Sequence, residues 1–191
     1  MLYLLSILFR ALSGVQNGFY YGKNMLGVSM TTMTLIFISF LTILVWDTPA
    51  LATYTLAFSM GFCAWLYFVF LSKQGDKIHL VETLLTGSYT LAIAFLDIPT
   101  AILSVYPGLV LHKMGVNYLG GWPVFYEGTD DPKGKYYSIY IFGKQIKIPR
   151  TNFKIRFILA VLSIALYILY LLKSPLKFNI IDVFIWLKEL L

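Results

Sequence analysis

Hydrophobic residues in this chain fall into long runs that short polar segments interrupt. Residues 25–46 and residues 50–71 carry no charge, and only Asp47-Thr48-Pro49 separates them. Each run has about the 20 residues that an α-helix needs to cross a hydrocarbon core about 30 Å thick. The pattern therefore predicts a membrane-spanning helical hairpin.

The two ends of the chain have an amphipathic pattern instead. In residues 1–17 the polar positions recur at helical spacing and are Ser6, Arg10, Ser13 and Asn17. Such a stripe on an otherwise apolar helix predicts an interfacial helix, either an anchor on the membrane surface or a helix docked on a partner subunit. Residues 175–191 follow Ser174-Pro175, a cap and first-turn pair, and predict a second amphipathic helix.

The second half of the chain contains one ambiguous apolar run and one clear one. Residues 81–111 are too long for one straight span and too short for two, and Asp97 and Pro99 interrupt them. Because basic residues flank this run on both sides, we expect a re-entrant element that returns to the same membrane face, with an ordinary span near residues 84–103 as the alternative. Residues 157–172 predict a final span with snorkelling basic ends.

An aqueous segment, residues 113–154, is marked by glycine and proline turn signals. A two-residue turn at Gly143-Lys144 would place residue 141 opposite 146 and residue 139 opposite 148 in a β-hairpin. One face of this hairpin would be apolar and would need cover from the membrane, from this chain or from a partner. The side chains concerned are Ile139, Ile141, Ile146 and Ile148.

Composition sets the class of protein. The 191 residues are 59% hydrophobic and only 13% charged, with a mean hydropathy of +0.76, so lipid must be the main solvent. The net charge of +6 lies in a few short segments, which favours anionic headgroups over nucleic acid as a partner. We expect an all-α integral membrane protein with three to four spans, amphipathic ends, a small extramembrane β-hairpin and no division into domains.

Basic residues also predict an orientation. Arg10 and Lys23 precede the first span and Lys73 and Lys77 follow the second, whereas the intervening turn holds only Asp47. By the positive-inside rule, the N terminus and the link at residues 73–80 should both face the cytoplasm, or a matrix or stroma.

Two polar or small-residue patterns lie inside the spans. Small residues at helical spacing would let another helix approach closely, within this hairpin or from a partner, and are Thr53, Ala57, Gly61 and Ala64. Residues 29–34, Ser-Met-Thr-Thr-Met-Thr, form a polar patch whose hydroxyls can bond to carbonyls one turn earlier.

Few residues in the sequence are candidates for metal binding, proton transfer or covalent chemistry. His79 and Glu82 would share a helix face, and a re-entrant element could bring His112 to them, which gives a candidate metal cluster. Asp97 either caps the helix beside Pro99 or serves as an ion or proton site at membrane depth. Cys63 is the only cysteine, so no intrachain disulfide can form.

These patterns favour a non-catalytic structural or accessory subunit of a larger membrane complex, without a cofactor other than bound lipid. Phosphate-binding, dinucleotide-binding, nucleophile-elbow and zinc-protease motifs are all absent from the sequence. The alternative is a small oligomeric channel or transporter that uses Asp97 and residues 29–34. An intramembrane enzyme acting on lipid through the two histidines and Glu82 is a third hypothesis.

Overall fold

A computed structural model of the chain describes residues 1–126, 136–141, 144–149 and 153–173. The helices and strands in this part of the chain are α1 Leu2–Tyr21, α2 Met25–Val45, α3 Ala50–Leu71, α4 Gly75–Leu96, α5 Ile98–Leu103, α6 Val105–Leu119, β1 Tyr136–Ile141, β2 Lys144–Pro149 and α7 Phe153–Lys173. The amphipathic helix expected at residues 175–191 lies outside the described residues.

Four of these helices are long and apolar enough to cross a membrane. They are Met25–Val45, Ala50–Leu71, Lys77–Leu96 and Phe153–Leu172. Most of their surface faces away from the protein, as expected where lipid is the solvent. The chain is therefore a multi-pass membrane protein of the helical class.

Helix α1 lies inside the bundle and not at an interface. It runs antiparallel to α4: Tyr3 donates to the carbonyl of Leu103, which follows α4, while Asn17 donates to Glu82 near the start of α4. The polar stripe of α1 is buried, with Ser6 and Ser13 fully enclosed. The expectation of an interfacial helix at residues 1–17 is therefore wrong, because helices α4, α5 and α6 cover the stripe.

This direction separates the N terminus from the link between α3 and α4. One end of the bundle holds Lys23, Lys73 and Lys77, and we call it the basic end; Met1 and Asp47 lie at the other, which we call the far end. The expectation that the N terminus and the residue 73–80 link share one side is wrong, since α1 runs between the two ends.

The ambiguous run of residues 81–111 enters the bundle and returns. Helix α4 reaches Leu96 at the far end, Asp97 begins the short helix α5, and α6 brings His112 back beside Glu82. Both ends of this run lie at the basic end, as a re-entrant element requires, although α4 alone is long enough to span. Helix α6 also continues to Leu119, so the aqueous segment starts later than residue 113.

Glycine allows α1 and α6 to touch along their backbones. A methyl group added to Gly18 would lie 2.6 Å from the carbonyl oxygen of Gly115, and one added to Gly22 would lie 2.6 Å from that of Leu119. Gly14 lies closer still to the backbone of His112. Positions 14, 18 and 22 thus form a small-residue contact of the kind that joins membrane helices.

Aromatic and aliphatic side chains fill the space between the other helices. Phe9 of α1 stacks on Tyr89 of α4 with ring centroids 3.8 Å apart, and Tyr89 shares a hydrogen bond with Thr42 of α2. Leu56 and Leu66 of α3 are fully buried, and α3 packs against α4.

The small-residue face of α3 points away from this core. Ala57 and Gly61 are exposed, Thr53 and Ala64 are half-buried, and a methyl group at Gly61 would meet nothing within 4 Å. The expectation that this face packs within the helical hairpin is wrong, because a different face of α3, which includes Leu56, Ser59 and Cys63, is the buried one. Ser59 on that face lies 3.4 Å from Ser39 of α2, measured between the two hydroxyl oxygens.

The two strands pair antiparallel in a register that differs from the expected one. Residue 139 pairs with 146 and residue 141 with 144, whereas 139 with 148 and 141 with 146 were expected. The side chains of Ile139, Ile141, Ile146 and Ile148 lie outside the described part of the structure, and their predicted apolar face stays a prediction.

A buried polar cluster and its cavity

Glu82 is the centre of a polar cluster formed by α1, α4 and α6. It lies two turns into α4, about 10 Å along the helix from Gly75. Its Oε1 accepts hydrogen bonds from Asn17 Nδ2 and, at 3.4 Å, from Ser13 Oγ, and its side chain is only 12% exposed. A carboxylate at this depth is costly unless it is paired, so its partners decide what the cluster can do.

His112 of α6 is the partner that lies nearest to Glu82 outside α1 and α4. Its Nε2 lies 2.9 Å from Glu82 Oε1, and its Nδ1 lies 3.2 Å from the carbonyl oxygen of Arg10. Both of these partners are acceptors when Glu82 is ionised, so both ring nitrogens can donate only in the imidazolium form. The geometry is that of a carboxylate and imidazolium ion pair.

His79 belongs to the cluster only at its edge. Its Nδ1 lies 3.9 Å from Glu82 Oε2, and its side chain is 84% exposed. Within the described residues, no group of three His, Cys, Asp or Glu side chains could hold a metal ion. The structure thus brings His79, Glu82 and His112 together without supporting the metal hypothesis for them.

Arg10 is a second buried charge, although its place in the polar stripe of α1 predicted an exposed position. Its side chain donates to Thr90 of α4 and packs across Gly108 of α6, where no side chain occupies the space. Only 8% of the residue is exposed, and its Nε has no hydrogen-bond partner. Among the described residues, no carboxylate forms an ion pair with it.

A cavity of about 600 Å³ opens beside these charges. Its lining includes Arg10, Glu82, His112, Lys113 and Arg156, with aromatic side chains toward the basic end. Burial and the nearby charge of Arg156 lower the pKa of Lys113. Burial first, and then the negative charge of Glu82, raises the pKa of Tyr21.

Asn117 fixes the wall of the cavity beyond α6. Its Nδ2 donates to the carbonyl oxygens of Val124 and Tyr126, at 2.9 Å and 2.8 Å, and the residue is fully buried. Its Oδ1 has no partner, and neither has Oδ1 of Asn17. Nothing in the sequence pattern indicated Asn117, because an isolated asparagine near a helix end is an ordinary feature.

Asp97, the other ionisable candidate, has a structural role at the far end of the bundle. It is the N-cap residue of α5: Oδ2 accepts from Thr100 N at 3.0 Å, and Oδ1 accepts from the hydroxyl of Tyr170 at 2.8 Å. These contacts agree with the capping interpretation and tie α5 to α7.

The hydroxyl groups of residues 29–34 also have a structural role. Thr31, Thr32 and Thr34 each donate to a carbonyl oxygen one turn earlier in α2. Thr32 in addition accepts a hydrogen bond of 2.6 Å from Gln16 of α1. The patch therefore joins α1 to α2.

Comparisons with known proteins give no relative for this arrangement: no protein-family model, no curated protein and no solved structure matches the chain.

Proposed function

We propose that the chain is a non-catalytic accessory subunit of a larger membrane assembly. The observation that carries this proposal is the small-residue face of α3, defined by Thr53, Ala57, Gly61 and Ala64, which is turned away from the rest of the chain. Such faces let a second helix approach backbone to backbone, which is the principal way in which helices associate in lipid. The partner is a membrane helix of another protein.

The arrangement of polar groups weighs against the channel or transporter alternative. Asp97 is occupied by Thr100 and Tyr170, and the threonines of residues 29–34 bond to their own helix. The remaining polar stripe, along α1, carries Arg10 in its middle. A buried cation there would repel protons and metal cations, as such residues do in selective pores.

We further propose that the basic end of the bundle faces the cytoplasm, or a matrix or stroma. Lys23, Lys73 and Lys77 lie at that end, while Asp47 lies at the far end. The positive-inside rule then assigns the basic end to the compartment in which the chain is made. Because α1 runs antiparallel to α4, Met1 would face the opposite compartment.

The subunit proposal is tested by native mass measurement after gentle detergent extraction. We expect a discrete hetero-complex with the wild-type chain, and its loss with Gly61→Leu, since leucine would hold the two helix backbones apart. Gly87→Leu on α4 is the matched control, because Gly87 is also exposed and a methyl group there meets nothing within 4 Å.

Two results would overturn this proposal. A homo-oligomer of fixed size would support the pore instead, and a complex that survives Gly61→Leu as well as Gly87→Leu would show that the α3 face contacts only lipid. Both variants should remain monodisperse, since neither glycine has a neighbour within the chain.

A further inference from the structure

The cavity beside Glu82 carries an excess of positive charge. Arg10, Lys113 and Arg156 line it, and Glu82 is the acidic residue in the same lining. Glu82 already has a close partner in His112, whose Nε2 lies 2.9 Å from Oε1. Three cations from three different helices, α1, α6 and α7, thus share one space of about 600 Å³.

Two donors in this lining, on Arg10 and Lys113, lack a partner among the described residues. Arg10 Nε is buried without a hydrogen bond, and Lys113 forms no ion pair with any described carboxylate. Arg10 is buried, and Lys113 and Arg156 are half-buried. Holding such cations near one another is unfavourable in a membrane protein unless a negative charge lies among them. Burial first, and then the positive charge of Arg156, lowers the pKa of Lys113.

Unpartnered acceptors lie in the same lining. The Oδ1 atoms of Asn17 and Asn117 are buried and accept no hydrogen bond, while both residues are more than nine-tenths buried. A ligand that satisfies the whole site must therefore be an anion that also carries a hydroxyl donor. Phosphate groups and their esters have this combination: several acceptor oxygens around one centre, and a hydroxyl on the phosphorus or on the adjoining alcohol.

We propose that this cavity binds a phosphate group through Arg10 and Lys113, with Asn17 and Asn117 accepting from the hydroxyl that accompanies it. A phosphate group presents up to four oxygens in a tetrahedral arrangement and can meet donors from separate helices more completely than the two oxygens of a planar carboxylate. The phosphate belongs to either of two sources with the same chemistry, a lipid headgroup entering from the bilayer or a soluble phosphate ester. This inference is independent of the subunit proposal, which concerns the outer face of α3.

The test uses the full-length chain in a maltoside detergent, which contains no phosphate. In one arm, inorganic phosphate is titrated against sodium chloride at matched ionic strength and the thermal midpoint is followed. In the other arm, phosphatidic acid is added to the micelles and bound lipid is counted by native mass spectrometry. Acetate and a fatty acid serve as carboxylate probes in the two arms.

The variants that test the site are substitutions of Lys113. Lys113→Gln should weaken binding by about tenfold or more, because a hydrogen bond to a charged group is lost, and Lys113→Arg should keep it. Lys77→Gln is the matched control: it removes the same charge from an exposed residue at the basic end that does not line the cavity. Binding of inorganic phosphate indicates a soluble ester, and binding of phosphatidic acid alone indicates a lipid headgroup.

Three outcomes would overturn the proposal. The first is a wild-type chain that neither distinguishes phosphate from chloride nor retains phosphatidic acid. The second is an equal loss in Lys77→Gln and Lys113→Gln, which would mean attraction to the basic surface in general. The third is binding of the carboxylate probes as tight as that of the phosphates.

Discussion

The contact between α1 and α6 leads to a prediction about one methyl group. In Gly18→Ala the new Cβ would lie 2.6 Å from the carbonyl oxygen of Gly115 and 2.7 Å from Cβ of Leu119. Carbon atoms in contact normally keep about 3.5 Å or more between them. The two helices must therefore move apart by roughly 1 Å, and the obstacle is partly backbone, which cannot rotate away.

The expected magnitude follows from two opposing terms. Overpacking of a tight contact costs about 1–3 kcal/mol, whereas alanine is favoured over glycine inside a helix by about 1 kcal/mol. Gly61→Ala on α3 provides the comparison, because it makes the same chemical change where nothing lies within 4 Å. The helix-propensity term cancels between the two variants, so Gly18→Ala should be less stable than Gly61→Ala by about 1–3 kcal/mol, the whole contact penalty.

Equilibrium unfolding by SDS in mixed micelles measures this difference. We expect Gly61→Ala to match or exceed the wild-type chain and Gly18→Ala to unfold at clearly lower detergent fraction. Equal stabilities for the two variants would refute the reasoning, since they would mean that α1 does not approach α6 through glycine. A stability of Gly18→Ala above that of Gly61→Ala would refute it more strongly.

Three further predictions concern orientation, Asp97 and Glu82. With Cys63 replaced, single cysteines at Lys77 and Tyr118 should label from one side of the membrane and a cysteine at Asp47 from the other; opposite labelling of the first two would contradict the return of α6 to the basic end. Asp97→Asn should lower stability by only about 1 kcal/mol, because the amide keeps one of two acceptor oxygens, whereas Asp97→Ala should cost more; reconstituted liposomes should show no proton flux that Asp97→Asn abolishes. Glu82→Gln should lower the thermal midpoint less than Glu82→Ala, because the amide oxygen still accepts from Asn17 and the alanine leaves that donor buried; the reverse order would show that burying a polar side chain at position 82 is a net cost.

Local pattern sufficed for the elements whose fold depends on length and hydropathy. Helices α2 and α3 begin and end within a residue of the expected bounds, because an uncharged run of this length has no other stable form in lipid. The return of residues 81–111 was also predictable, since basic residues on both sides of a run favour ends on one face.

The expectation of an interfacial helix at residues 1–17 was wrong because an amphipathic pattern does not say which surroundings a polar stripe will meet. The stripe of Ser6, Arg10 and Ser13 is equally compatible with a membrane surface and with a polar interior. A signal for the second possibility was present: Gly14, Gly18 and Gly22 recur at four-residue spacing on α1. That spacing indicates a close helix contact, which a surface helix does not need.

The candidate site was only partly predictable for a related reason. His79, Glu82 and His112 were grouped correctly because two of them share a helix face and the third returns with α6. Arg10, Lys113 and Asn117 were missed, since their joining in one cavity depends on the packing of α1 against α6. The outward direction of the α3 small-residue face was likewise a tertiary outcome that spacing alone could not fix.

The burial of α1 has a consequence for how the protein is made. His112, whose Nδ1 lies within hydrogen-bond distance of the carbonyl oxygen of Arg10, is 102 residues later in the chain. At a synthesis rate of about 5–20 residues per second, α1 must wait on the order of 5–20 s for α6 to emerge. During that interval the polar stripe of α1 is uncovered and disfavours its insertion into lipid. We therefore expect α1 to lie on the membrane surface until α6 has emerged. Helix α1 thus leaves the ribosome before α6 and can take its place in the bundle only after α6 has followed.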